Sequence, residues 1–243
     1  MKSSANHGYF RASDESATKD IHNIWRCKQK TVDMEAIKMK CLILANGVAP
    51  KTAVLLRLVR THDLFIATDG AANNLSPKIP PPDVILGDFD SMEESIRDVY
   101  PTSSFVHLPD QDTSDIEKAI EHALDTGANY ITLTGALGGR IDHTLVSISM
   151  LVKYSKVTEI SIQEQSCSLF PVRKSAEIHG VPGDTLSLVT FDAVSDVRLD
   201  GVRWPIRGET LLPSSHGVSN RMTGNVARVS VGSGVLIACH ITA

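Results

Sequence analysis

The sequence predicts an α/β fold in which a parallel sheet covered on both faces is followed by a small all-β domain. Three observations carry this. From Lys40 to Gln163, short continuous apolar runs alternate with stretches of helical period, the pattern of a sheet buried on both sides. After Gln163 the period changes to alternation, with Gly and Pro turns at short intervals and no long helical stretch. Acidic residues gather where the strands of the first part end. The expected organisation is an extension over 1–38, an α/β domain over 39–164 and a β domain over 165–243.

The elements follow in order. Residues 41–45 form a first strand closed by Asn46-Gly47, and 53–59 a helix after Pro50. A second strand, 64–68, is closed by Asp69-Gly70-Ala71-Ala72. Residues 83–86 form a third strand, ended by Gly87, with a helix over 92–99. The fourth strand is 104–107. Ser114 and Glu117 then have capping-box spacing, and Ile116, Ala119, Ile120, Ala123 and Leu124 mark one apolar helix face. A fifth strand, 130–134, precedes a helix over 140–154 with Ile141, Leu145, Ile148 and Val152 on one side, and 157–162 supply a sixth strand. In the second part, Leu186 and Leu188, then Val197 and Leu199, alternate with polar neighbours. Val226, Val229 and Val231 lead through Gly232-Ser233-Gly234 to Val235 and Ile237, which reads as a hairpin.

Composition excludes several classes. The 243 residues are 42% hydrophobic and carry net charge −4. Residues 1–40 hold eight Lys/Arg against five Asp/Glu, and the rest 16 against 23, a balance that argues against non-specific nucleic-acid binding. No apolar run approaches the roughly 20 residues of a membrane span. The four cysteines lack metal-ligand spacing, so a reduced, cytoplasmic setting is expected. Residues 1–38 lack a secretory core, and Asp14, Glu15 and Asp20 count against a transit peptide. They read as a mobile extension.

The chemistry concentrates between Asp83 and Lys118. Asp88 and Asp90 flank Phe89 just past the third strand, and in extended backbone alternate side chains share a face. Two carboxylates that close repel unless neutralised, and a divalent cation that prefers oxygen ligands, Mg²⁺ or Mn²⁺, does so. A solvated Asp/Ser turn is the plain alternative. The second cluster, Asp110-Gln111-Asp112 with Asp115, sits at a helix start, where Asp is favoured by the helix dipole alone. Both clusters meet if the sheet is open and parallel, because strand C-termini and helix N-termini converge at one edge.

Asp69-Gly70-Ala71, Gly87-Asp88-Phe89-Asp90-Ser91, Asp110-Gln111-Asp112 with Asp115 and Lys118, and Gly138-Gly139-Arg140-Ile141-Asp142-His143 occur in that order. With Gly201-Val202-Arg203-Trp204-Pro205 and Ser219-Asn220, they resemble thiamine pyrophosphokinase from about Met39 to the C-terminus. The resemblance implies a Rossmann-like α/β domain followed by a β-sandwich domain, and a homodimer with active sites at its interface. It also implies transfer of pyrophosphate from ATP to thiamine, giving thiamine diphosphate and AMP. Two positions depart from the family's pattern: Ala71 replaces a second glycine, and His216-Gly217-Val218 stands where a serine-rich stretch is usual.

On this reading Asp88, Asp90 and Asp115 bind Mg²⁺, with Asp69 and Asp112 bound directly or through water. Asp69, Gly70, Gln111, Lys118, Gly139, Arg140, Asp142 and His143 serve ATP. Asp88, Asp90, Asp112, Asp115 and Arg140 form the catalytic set, and Trp204, Ser219 and Asn220 hold thiamine, with the indole against the thiazolium. Each has a plainer reading: a surface charge for Lys118 and Arg140, a clamp on Arg140 or the helix start for Asp142, a supporting role for His143, and a core residue for Trp204. Three other functions compete. A pyrophosphokinase acting on a hydroxymethylpterin would differ in the β domain. An Asp-nucleophile phosphatase requires Ser or Thr two residues beyond the second aspartate, whereas Ser91 is adjacent to Asp90. A non-enzymatic thiamine- or nucleotide-binding module would not need every charged position.

Overall fold

Six apolar runs form the parallel part of the sheet in a computed structural model that describes residues 39–242. They are β1 (Lys40–Leu44), β2 (Leu64–Thr68), β3 (Val84–Gly87), β4 (Ser104–His107), β5 (Tyr130–Thr134) and β6 (Glu159–Gln163). The extension expected over 1–38 lies outside the described residues. All neighbouring pairs in the order β6-β5-β1-β2-β3-β4 are parallel. Strand order therefore reverses between β1 and β5, which opens a crevice beyond their C-terminal ends.

Among the described residues five helices connect the strands: α1 (Thr52–Arg60), α2 (Asp69–Ala72), α3 (Ile96–Val99), α4 (Asp115–Asp125) and α5 (Ile141–Tyr154). Alternation along each strand sends Leu42, Leu44, Phe65 and Ile85 to one side, against Leu55 and Leu58 of α1. Ile43, Ile66, Ile131 and Leu133 go to the other, against Ile116, Ala119 and Ile120 of α4 and Leu151 of α5. The apolar run of each strand is thus consumed by two cores.

Three local expectations change. The helix expected over 92–99 is only α3, because the Asn73 carboxamide accepts from Glu93 N–H (3.0 Å) and donates to the Ser91 carbonyl (2.6 Å), holding 91–93 in a turn. Ser114 does cap α4, accepting from Glu117 N–H. Glu117's carboxylate, however, turns to Lys153 and the Tyr154 hydroxyl instead of closing the capping box. Helix α5 buries Ser147, Met150, Leu151 and Tyr154, so its inward face is rotated from the expected one, and Ile141 and Leu145 stand in solvent.

The chain continues through β7 (Cys167–Val172), β8 (Ser175–His179), β9 (Thr185–Thr190), β10 (Val194–Asp200), β11 (Ile206–Leu211), β12 (Asn220–Arg221), β13 (Val226–Ser230) and β14 (Leu236–Ile241). Strands β7, β14, β9 and β12 extend the first sheet antiparallel beyond β6, making it ten-stranded, while β11-β10-β13-β8 form a second sheet. Val172, Leu186, Leu188 and Leu236 of one sheet share a core with Ile178, Val197, Leu199 and Val229 of the other, the packing of a sandwich. The expected hairpin through Gly232-Ser233-Gly234 is not one, since β13 and β14 lie in different sheets. That linker pairs instead with Ser195, which accepts from Gly232 N–H at 2.9 Å and donates its own N–H to Ser233 at 3.1 Å.

Candidate active site

The loops that follow β1, β2, β3 and β5 and the N-terminus of α4 all lie at the C-terminal edge of the parallel strands. Asp69, the first residue after β2, is 1% exposed. One of its carboxylate oxygens accepts from Gly70 N–H (2.6 Å) and the other from Phe89 N–H (2.9 Å). Gly87 is required opposite it, because a Cβ there would lie 2.5 Å from the Asp69 carboxyl carbon. Gly70 is required likewise, because a Cβ would collide with the Asn46 carboxamide.

Phe89 adopts a left-handed conformation (φ 66°), uncommon for a residue with a side chain and a form of local strain seen at functional sites. Its ring is held by His107, stacked at 5.3 Å between centroids, and by the Arg97 guanidinium at 5.1 Å. The resulting turn directs Phe89 N–H at Asp69 and brings Asp88 and Asp90 together, with Asp90 N–H donating to Asp88 Oδ1 at 3.1 Å. The two carboxylates therefore converge through a turn and not through strand alternation. Carboxylate oxygens of Asp69, Asp88 and Asp90 all lie within 4.8 Å of one another.

The electrostatics of the group are uneven. Burial pushes the Asp69 and Asp115 carboxyls above the ordinary aspartate range, and neighbouring aspartates add to it. Asp88 is held below that range, first by the Gln111 amide donating at 2.7 Å. Lys118 is buried, with its ammonium 3.4 Å from Asp115. It is a compensating charge for the acidic group, not a surface lysine.

Around the crevice, the loop after β5 is fastened by Glu164. Its carboxylate accepts from the backbone N–H groups of Gly135 (3.2 Å), Ala136 (2.9 Å) and Leu137 (3.3 Å). The carbonyls of Gly135 and Leu137 in turn accept from Gly47 and Val48 N–H, tying this loop to the exit of β1. Gly138 and Gly139 both have positive φ (78° and 67°) and swing the chain into α5. At its start Arg140 is exposed and forms a two-point pair with Asp142 (3.1 and 2.6 Å), which also accepts from His143 N–H at 3.0 Å. The Arg140 pairing holds the Asp142 carboxyl down at about 2.

A family model for the catalytic domain of thiamin pyrophosphokinase matches residues 55–163, and one for its vitamin B1 binding domain matches residues 175–236. Over 195 residues the chain is 32% identical to thiamine pyrophosphokinase 1 of Arabidopsis thaliana, spanning 68% of this chain and 72% of that protein. This chain belongs to the thiamine pyrophosphokinase family. Thiamine pyrophosphokinase 1 of Oryza sativa subsp. japonica is 29% identical over 171 residues, 58% of this chain and 64% of its own length, so the chain spans under two thirds of that relative. The crystal structure of thiamine pyrophosphokinase from Bacillus subtilis matches with a TM-score of 0.73 at 24% identity, over 84% of this chain and 99% of that one, a likeness of fold.

Within this family member, the expected residues divide into groups. Asp69, Asp88 and Asp90 come together, with Gln111 bonded to Asp88. Asp115 and Lys118 form the adjacent pair, and Asp115 lies outside the three-carboxylate group. Asp112 is exposed, its backbone N–H closing a turn on Asp110 at 3.3 Å. Gly139, Arg140, Asp142 and His143 line the start of α5. In the second part, Trp204 is 55% exposed, so it is not a core tryptophan, and the Arg203 guanidinium lies 4.9 Å from its ring centroid. Asn220 is buried, accepting from Trp204 N–H (3.1 Å) and donating to the Trp204 carbonyl (2.6 Å). Ser219 is exposed with φ 61°, its N–H on the Ser187 hydroxyl.

Asn46, Phe89 and Glu164 were not anticipated as site residues. Asn46 follows a strand in the position where a turn residue is ordinary. Phe89 reads as apolar filling between two aspartates, and Glu164 is a lone acid after β6 whose three partners lie 27–29 residues away.

Proposed function

We propose that this chain transfers the pyrophosphoryl group of ATP to the hydroxyethyl oxygen of thiamine, releasing AMP and thiamine diphosphate. The observation that carries the reading is the convergence of Asp69, Asp88 and Asp90 at the C-terminal edge of the sheet, in a chain of this family. An all-oxygen donor set with a buried, desolvated carboxylate fits Mg²⁺ or Mn²⁺ in preference to softer metals. Bound there, the ion would neutralise charge on the ATP phosphates.

The chain's own residues supply positioning. Asp69, Asp88 and Asp90 would hold the cation, with Asp115 and Asp112 as further carboxylates beside them. Lys118 balances the acidic group, and Gln111 fixes the orientation of Asp88. Gly70 leaves room for Asn46 and the phosphates. Gly139 and Arg140, with His143, face the ATP phosphates from the start of α5, where backbone N–H groups favour an anion. Asp142 keeps the guanidinium in place. Transfer in line relies on alignment and charge neutralisation, so no covalent enzyme intermediate forms. Residues 39–164 serve as the ATP domain and 165–243 as the thiamine domain, a division supported by the two family matches on either side of residue 164.

Trp204 is the wall for the thiazolium, Asn220 fixes its backbone, and Ser219 bonds the pyrimidine end. Arg203 over the indole is a planar cation in the place such a ring would take. Exposed Phe191, Leu212 and Val218 stand in the same domain as Trp204 and support a homodimer that covers them. The three cysteines among the described residues are free thiols, Cys41 pushed up to about 12 and Cys239 to about 11 by burial, which is compatible with cytoplasmic residence. Trp204→Ala should raise the thiamine KM about tenfold, the loss of a contact of ~1–2 kcal/mol, while leaving the ATP KM nearly constant, and Trp204→Phe should recover part. Steady-state kinetics decides, and an unchanged thiamine KM in Trp204→Ala would remove the pocket from this residue.

A further inference from the structure

A cavity of about 430 Å³ opens at the opposite edge of the sheet, where β5 and β6 begin. It is separated from the aspartates by the length of the strands, on the order of 13 Å for five residues. Its origin is a parting of two strands. β6 and β7 pair only through Ile162↔Leu169 and Gln163↔Ser168. Beyond that point β7 carries Pro171, which has no N–H to give a ladder. Phe170 and Val172 pair with β14, whereas Ile160 and Ser161 pair with β5. The chain then turns at Arg173-Lys174 into β8 of the second sheet, and a wedge is left between the strands.

The lining is chemically specific. Thr158 and Ser161 also line it, with their hydroxyls buried away from the opening. Arg173 and Lys174 bring two cations against the one carboxylate of Glu159, and the Arg173 guanidinium is steadied by the Ser155 carbonyl at 3.3 Å. Tyr130 and Phe170 supply two aromatic rings, and the Lys40 ammonium lies 6.0 Å from the Tyr130 centroid. The volume is within the range of small-molecule sites, roughly 300–1,000 Å³.

We propose that this wedge is a second ligand site, for a small aromatic phosphate. Arg173 and Lys174 take the phosphate, and the ring lies between Tyr130 and Phe170. Phenyl phosphate is a suitable probe, titrated into the full chain by calorimetry, with inorganic phosphate as a separate arm. Saturable binding is expected, weakened at least about tenfold by Arg173→Ala/Lys174→Ala and unchanged by Trp204→Ala. If the double alanine variant fails to fold, Arg173→Gln/Lys174→Gln serves in its place. Three results would overturn the proposal: no saturable binding up to about 10 mM, binding lost in Trp204→Ala but kept in the Arg173 and Lys174 variants, or equal affinity for inorganic phosphate.

Discussion

Asp69 is the residue around which the acidic group is arranged. It is buried, both its oxygens are committed to backbone N–H groups, and Gly87 is the residue that makes space beside it. Asp90 is the opposite case: exposed, with its carboxylate accepting from the neighbouring Ser91 hydroxyl at 2.9 Å. Asp90→Asn should therefore cut turnover at least about hundredfold, the loss of several kcal/mol of charge neutralisation, with the melting temperature moved by no more than about 2 °C. Near-native turnover at limiting Mg²⁺ would show that Asp90 does not hold the ion. That Asp88 and Asp90 come together was legible from their spacing. Their geometry was not, because the left-handed Phe89 that brings them together is set by contacts with His107 and Arg97, and no local rule predicts it.

At the scale of elements, the C-terminal edge is held by loops that brace one another. Glu164, just past β6, fastens three consecutive amides of the loop after β5, and that loop fastens the exit of β1. Burial raises the Glu164 carboxyl above its ordinary value of 4.5, against the pull of the three amides. In the window from 4.5 up to the raised value, the folded chain binds the extra proton. Stability from this group therefore falls as pH rises through that window. Glu164→Gln should flatten that dependence, read as urea midpoints at about pH 5 and about pH 7.5. Its amide would also present a donor to a backbone donor, so the loop should loosen and the ATP KM rise several-fold with the thiamine KM unchanged. Equal effects on both substrates would make Glu164 a general stabiliser and no more. Strand positions were legible because a buried parallel strand is a continuous apolar run. The rotation of α5 and the shortening of α3 were not, since both follow from partners distant in sequence, the strands against which Met150, Leu151 and Tyr154 pack and Asn73 on Glu93.

The whole molecule joins its two parts through one sheet, with β7 crossing from the parallel half to the sandwich. The change of period after Gln163 announced the second part, but the strand order did not follow from it. Gly232-Ser233-Gly234 has the composition of a hairpin turn and serves as a crossing between sheets, a choice made by tertiary pairing with Ser195. Trp204, Phe191, Leu212 and Val218, and Ile141 and Leu145 of α5, leave apolar side chains exposed, surface that a second copy of the chain would cover. Light scattering should give twice the mass of one 26.3 kDa chain. A monomer fully active at nanomolar concentration would contradict assembly at the active site.

The central claim is transfer of a pyrophosphoryl group to thiamine, and the most direct measurement is the identity of both products. The purified chain, incubated with ATP, Mg²⁺ and thiamine and followed by phosphorus NMR with the nucleotides resolved by chromatography, should yield AMP and thiamine diphosphate in equal amounts, with no ADP. Formation of ADP with thiamine monophosphate, or AMP release that does not depend on thiamine, would contradict it.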